Sequence, residues 1–116
     1  MKKLLVPLVL LPALAAAATV VNSFDAPDTG ISSLAWDGVT LWALDGTTQY
    51  VYRLDPTDGA LLGSFYVEDQ SADLAAGGMT YVGGSLYISM YQAGTMGEVY
   101  KYDTSGTLLS QFNCYC

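Results

Sequence analysis

Histidine is absent from this 116-residue sequence. That removes the commonest general base near neutral pH and the commonest zinc ligand. Basic residues are scarce too, with four Lys and Arg against eleven Asp and Glu. Lys2 and Lys3 stand at the very start, so the remainder sets Arg53 and Lys101 against all eleven carboxylates, a net charge of −9. Such a chain offers no basic face to nucleic-acid phosphates or to an anionic membrane surface, and neither is an expected partner. Cysteine is confined to Cys114 and Cys116, and two thiols at i and i+2 make no disulfide framework. The serines have no His to activate them and no Gly-x-Ser-x-Gly elbow to present them, so no catalytic residue is assigned.

The apolar run Leu4–Leu14 is shorter than the roughly 20 residues a spanning helix needs. It follows the basic Met1-Lys2-Lys3 and precedes Ala15-Ala16-Ala17-Ala18. Basic start, apolar stretch and small-residue end are the three parts of a secretory signal peptide, with a cut expected before Thr19. The expectation is therefore a leader over residues 1–18 and an exported, acidic mature chain, periplasmic or extracellular. No membrane association is expected after cleavage.

What the mature region has in quantity is itself, repeated. Leu34-Ala35-Trp36-Asp37-Gly38 with Leu41-Trp42-Ala43 aligns on Met79-Thr80-Tyr81-Val82-Gly83 with Leu86-Tyr87-Ile88, an offset of 45. Val51-Tyr52-Arg53-Leu54-Asp55 aligns on Val99-Tyr100-Lys101-Tyr102-Asp103, an offset of 48. Leu61-Leu62-Gly63-Ser64-Phe65 aligns on Leu108-Leu109-Ser110-Gln111-Phe112 at 47, and Val20-Val21-Asn22-Ser23-Phe24 is a third copy 41 residues earlier. Self-similarity at this period is the signature of a repeat architecture.

Each unit reads as four short strands, called a to d here. Strand a covers Leu34–Trp36 and Met79–Val82, and strand b Leu41–Leu44 and Leu86–Met90. Strand c covers Tyr50–Leu54 and Val99–Tyr102, and strand d Ala60–Val67 and Thr107–Phe112. Their Val, Leu, Tyr, Trp and Phe suit pleated surfaces. Asp37-Gly38 and Gly83-Gly84 suit tight a–b hairpins, while Asp55-Pro56-Thr57-Asp58-Gly59 and Asp103-Thr104-Ser105-Gly106 carry turn chemistry between c and d. Leu41-Trp42-Ala43-Leu44 is apolar on both faces, as a sheet sandwiched between others requires. The stems of Arg53 and Lys101 are placed to lie along a neighbouring sheet.

Four strands in such a repeat resemble a β-propeller blade. Leu41-Trp42-Ala43-Leu44-Asp45, then Tyr52-Arg53-Leu54-Asp55, then Gly59 and Leu61-Leu62, resemble the NHL-like and quinoprotein-like blades of secreted propellers. The resemblance implies an all-β fold: two four-stranded antiparallel propeller-like blades, one over about residues 31–67 and one over about 78–112, plus an extra N-terminal outer strand at Val20–Phe24. Trp36-Asp37 closes strand a rather than strand c, so the unit is not a WD-type repeat. Gly63 and Ser110 stand where quinoprotein blades carry Trp, so no quinone cofactor is implied.

The strand count gives three d segments but two each of a, b and c. Residues 19–116 are thus expected to form an incomplete propeller domain. Its expected partners are further blades or other copies of itself, since about three repeats are needed for stable stacking. A binding or scaffold role is the leading expectation. The alternatives are a fragment of a propeller enzyme, hydrolase-like or cyclotransferase-like, and a self-assembling lectin-like carbohydrate binder.

The b–c and d–a loops vary in length between copies, and variable loops on a fixed scaffold are where function concentrates. That end carries Asp25, Asp28, Asp45, Glu68, Asp69, Asp73 and Glu98. The candidate ligand face comprises Tyr66, Glu68, Asp69, Asp73, Tyr91, Gln92 and Glu98. Glu68, Asp69 and Asp73 are the candidate metal ligands, with calcium the ion their oxygens suit. A solvated acidic rim explains the same carboxylates through solubility alone.

Overall fold

The computed structural model describes residues 17–68, 74–92 and 97–114. These hold eight strands and no helix: β1 Ile31–Trp36, β2 Leu41–Asp45, β3 Tyr50–Leu54, β4 Leu61–Tyr66, β5 Ala75–Val82, β6 Ser85–Tyr91, β7 Gly97–Asp103 and β8 Leu108–Cys114. They form two four-stranded antiparallel meanders, β1-β2-β3-β4 and β5-β6-β7-β8. The expected pair of sheets is therefore present, strand for strand. The leader assigned to residues 1–18 lies outside the described residues except for its last two.

The turns explain where the strands stop. Gly83 and Gly84 both have positive φ, 55° and 87°, and Val82 pairs with Ser85 across them, the geometry a two-residue hairpin needs. In the c–d turns one carboxylate organises each loop. Asp55 accepts the Thr57 amide at 2.9 Å and its hydroxyl at 2.6 Å, and Asp103 accepts the Ser105 amide and hydroxyl at the same distances. The sheets also share their irregularities. The ladder shifts between Ile31 and Ser33 and between Ala76 and Gly78, then between Arg53 and Leu54 and between Lys101 and Tyr102.

Residues opposite one another in a ladder share a face. Trp42 pairs with Ala35 and Arg53, and Leu44 with Ser33 and Val51, so these define one face of the first sheet. That face meets Met79, Leu86, Ile88, Met90, Tyr100 and Tyr102 of the second sheet, and together they form the core. Phe65 joins them, its ring 5.2 Å from Tyr102 and 6.4 Å from Trp42. At the β1–β5 seam the Ser33 hydroxyl accepts the Met79 amide at 3.0 Å and lies 3.3 Å from its carbonyl as donor.

The opposite face of the first sheet carries Leu34, Leu41, Ala43, Tyr52 and Leu54, and no third sheet lies on it among the described residues. Ala43 and Leu54 are nonetheless buried. Their cover is the chain's own N-terminal segment, and an apolar cleft of about 300 Å³ remains between Phe24, Ala26 and Pro27 on one side and Leu34, Leu41, Ala43 and Leu54 on the other. Val20–Phe24 forms no strand, contrary to the expected extra outer strand. A strand needs a ladder partner, and the described chain supplies no a-b-c set for it. Instead Asn22 donates to the Thr57 carbonyl at 2.8 Å and to the Pro56 carbonyl at 3.3 Å. Phe24 lies against Gly59: a Cβ built there would stand 2.7 Å from the Phe24 Cγ. The second sheet repeats this contact, since a Cβ at Gly106 would stand 2.7 Å from the Phe65 Cγ.

Candidate functional site

The b–c and d–a connections of both sheets lie at one end, where β2, β4, β6 and β8 finish. The structure divides the expected ligand face there. Tyr66 ends β4 opposite Tyr50, on the face of the first sheet turned away from the second. Its ring lies 5.4 Å from Tyr50, which stacks on Tyr52 at 6.1 Å, and the Tyr52 hydroxyl donates to Asp28 at 3.2 Å. Burial pushes the Tyr52 hydroxyl's pKa up, and the neighbouring Asp28 carboxylate acts in the same direction, against the hydroxyl of Thr48. Tyr50 and Tyr66 are exposed, so their rings form an accessible aromatic cluster.

Tyr91 ends β6 on the free face of the second sheet, its ring edge 3.0 Å from where a Gly77 Cβ would sit, with exposed Gln92 following it. Tyr66 and Tyr91 therefore stand on opposite flanks of the two-sheet stack. Glu98 pairs with Met90, whose side chain is in the core, and is half-buried on the inter-sheet side. Glu68 is exposed just after buried Val67. Asp69 and Asp73 lie outside the described residues, and with them two of the three candidate calcium ligands. Among the described residues no three His, Cys, Asp or Glu side chains gather as a metal site.

Asp45, one of the loop-end carboxylates, is fully buried. It accepts the amides of Thr47 and Thr48 at 2.8 Å and of Gly30 at 3.0 Å. The Thr48 amide does most to hold its pKa below the usual carboxylate value, against the opposing effect of burial. Gly30 is required by this arrangement, because a Cβ there would meet the Asp45 Oδ1 at 2.5 Å. The signal was present in the sequence as Asp45-Gly46-Thr47, a side chain poised to cap its own turn.

At the opposite end lies a network that charge and motif counting missed. Trp42 Nε1 donates to Asp37 at 2.8 Å, and the Thr40 hydroxyl donates to the same oxygen at 2.6 Å. Arg53 Nε donates to the Thr40 hydroxyl at 3.1 Å while its guanidinium lies 5.5 Å from the Trp42 ring centre. Burial works to raise the Asp37 pKa, but the bonds from Thr40, Val39 and Trp42 outweigh it and hold the carboxyl far below its ordinary value. Beside Arg53 a cleft of about 200 Å³ runs between Gly63 and Phe65 of the first sheet and Thr104 and Ser105 of the second. Lys101 over Tyr87, at 5.7 Å, repeats the cation–aromatic pair in the second sheet.

Asp37, Asp45, Asp55 and Asp103 are all shifted downward, each with hydrogen bonds that fix a turn. Their charge is committed to structure rather than poised for proton transfer. No protein-family model matches the chain, and no curated protein is detectably similar to it.

Proposed function

We propose that the protein is an exported propeller-repeat module with a binding or scaffold role, engaging its partner through a sheet face. One observation carries this reading. Leu34, Trp36 and Leu61 are 57%, 53% and 59% exposed, whereas Met79 is buried and Tyr81 and Leu108 pack against the core at the same repeat positions. A face whose counterpart is packed in the next unit, and whose Leu34, Trp36 and Leu61 stay exposed beside the N-terminal segment here, is a surface built for contact. The leader-like N-terminus supports export, and the repeat supports the likeness to NHL-like blades.

The test is a photoreactive phenylalanine analogue placed at position 36, 68 or 92 of the full chain expressed in its host. Crosslinking to protein from position 36 is the expected result. Crosslinking from 68 or 92, which follow β4 and β6 at the loop end, with none from 36 would move the contact to the loop end and overturn the sheet-face reading. A second reading, carbohydrate binding, is favoured by the exposed rings of Tyr50 and Tyr66, because sugar rings stack on such clusters. Glycan-array binding lost in Tyr66→Ala would establish it, and an array without hits would end it. The enzyme-fragment alternative draws nothing from Asp37, Asp45, Asp55 and Asp103, whose carboxylates serve turns.

A further inference from the structure

We infer that the partner on this face is a second copy of the same chain, stacked head to tail, and that the N-terminal segment is its built-in competitor. The inference rests on the sheet-face reading above and names the occupant.

The sheet-to-sheet contact within one chain supplies the template. Its first sheet offers Trp42, Val51, Arg53 and Phe65, and Phe65 seats against the c–d turn glycine of the second sheet, Gly106. The free face of the second sheet offers the matching set one repeat later. Tyr87 and Val99 are half-buried there, and Phe112 is 51% exposed with no glycine under it among the described residues. The complementary seat is Gly59, whose φ of 74° matches the turn of Gly106 at 89°. Phe24 fills that seat now. It does so from a segment without a strand, over a cleft of about 300 Å³, which is loose cover beside the density of a protein interior.

Charge agrees with the stacking. Within the chain Arg53 shares a cleft with Thr104 and Ser105 of the next sheet's turn. Moved on by one repeat, Lys101 meets the turn Pro56-Thr57-Asp58, and Asp58 is an exposed carboxylate. The head-to-tail contact thus sets one of the two mature cations against a carboxylate that the other turn lacks. The free face is also more polar than its template, with Thr80 and Ser89 where the first sheet has Ala35 and Leu44. The association is therefore reversible and weaker than the internal contact. Being heterologous, it closes into a ring or runs on as a filament according to the rotation per copy.

The experiment is sedimentation velocity on the purified protein over a concentration series. Concentration-dependent association is expected, tightened about tenfold in Phe24→Ala, which frees the seat, and abolished in Phe112→Asp. Lys101→Glu and Asp58→Lys should each weaken it, and the double variant should restore it. A monomer at every concentration, in Phe24→Ala as well, overturns the inference. So does association that survives Phe112→Asp, or a double variant no better than the singles. Crosslinks from position 36 to a different protein would then leave the sheet-face reading standing while self-stacking falls.

Discussion

Phe24 rests on Gly59 as Phe65 rests on Gly106, so the contact that joins the two sheets is made a second time by a segment belonging to neither. The glycines are required twice over. Both have positive φ, and both have a phenyl group where a Cβ would go.

Gly106→Ala should lower stability by about 2 kcal/mol or more, from the left-handed backbone and from crowding against Phe65. Gly59→Ala should cost less, because Phe24 sits on a segment that no strand ladder holds, while Phe65 is fixed in β4. Denaturant unfolding of both variants measures the difference. Equal losses would contradict it.

Ser33→Ala should cost about 1–3 kcal/mol by leaving the Met79 amide without its hydroxyl acceptor at the β1–β5 seam. Amide exchange at Met79 should accelerate, with that of the c–d turns little changed. Hydrogen exchange followed by NMR reads both.

Leu44→Ser should destabilise the fold by about 3 kcal/mol, since Leu44 is wholly buried between the sheets. The reverse change at the matching position, Ser89→Leu, lies on an exposed site and loses only the bond its hydroxyl accepts from the Gly78 amide at 2.8 Å, so it should cost about 1 kcal/mol or less. Thermal melts of the pair test which face is internal.

Acid should destabilise the fold through Asp37 and Asp45. Their folded pKa values lie below the unfolded value of about 3.9, so the unfolded chain binds more protons as pH falls through that region. The stability they contribute is fully present above the unfolded value and is lost progressively toward the depressed folded values. Asp45→Asn should be less stable than the parent at neutral pH and should show a shallower loss on acidification. An unchanged acid limb in the variant would contradict the assignment.

The strands were legible because each carries its own punctuation. Gly83-Gly84 and the Asp55–Gly59 and Asp103–Gly106 turns fix where β5 to β8 and their counterparts end, whatever the tertiary context. Leu41-Trp42-Ala43-Leu44 also read correctly as covered on both sides. What covers the second side was not legible: Val20–Phe24 has the apolar spacing of a d strand, and only the lack of a ladder partner keeps it from being one. The loop end misled for a related reason. A carboxylate in a variable loop looks the same in sequence whether it faces water or, like Asp45, turns inward to three amides. Arg53 and Trp42 could be assigned to a shared face by alternation, but their link through Thr40 to Asp37 depends on a turn whose shape the sequence only outlines.

The shared ladder irregularities bear on how the sheets fit. A bulge leaves one residue unpaired and bends its strand, which re-aims the side chains on either side of it. Here the shifts fall between Ile31 and Ser33 and between Arg53 and Leu54, and again at Ala76 to Gly78 and Lys101 to Tyr102. Both sheets therefore interrupt their ladders at the same repeat positions, so the contact between them joins two surfaces laid out to one plan.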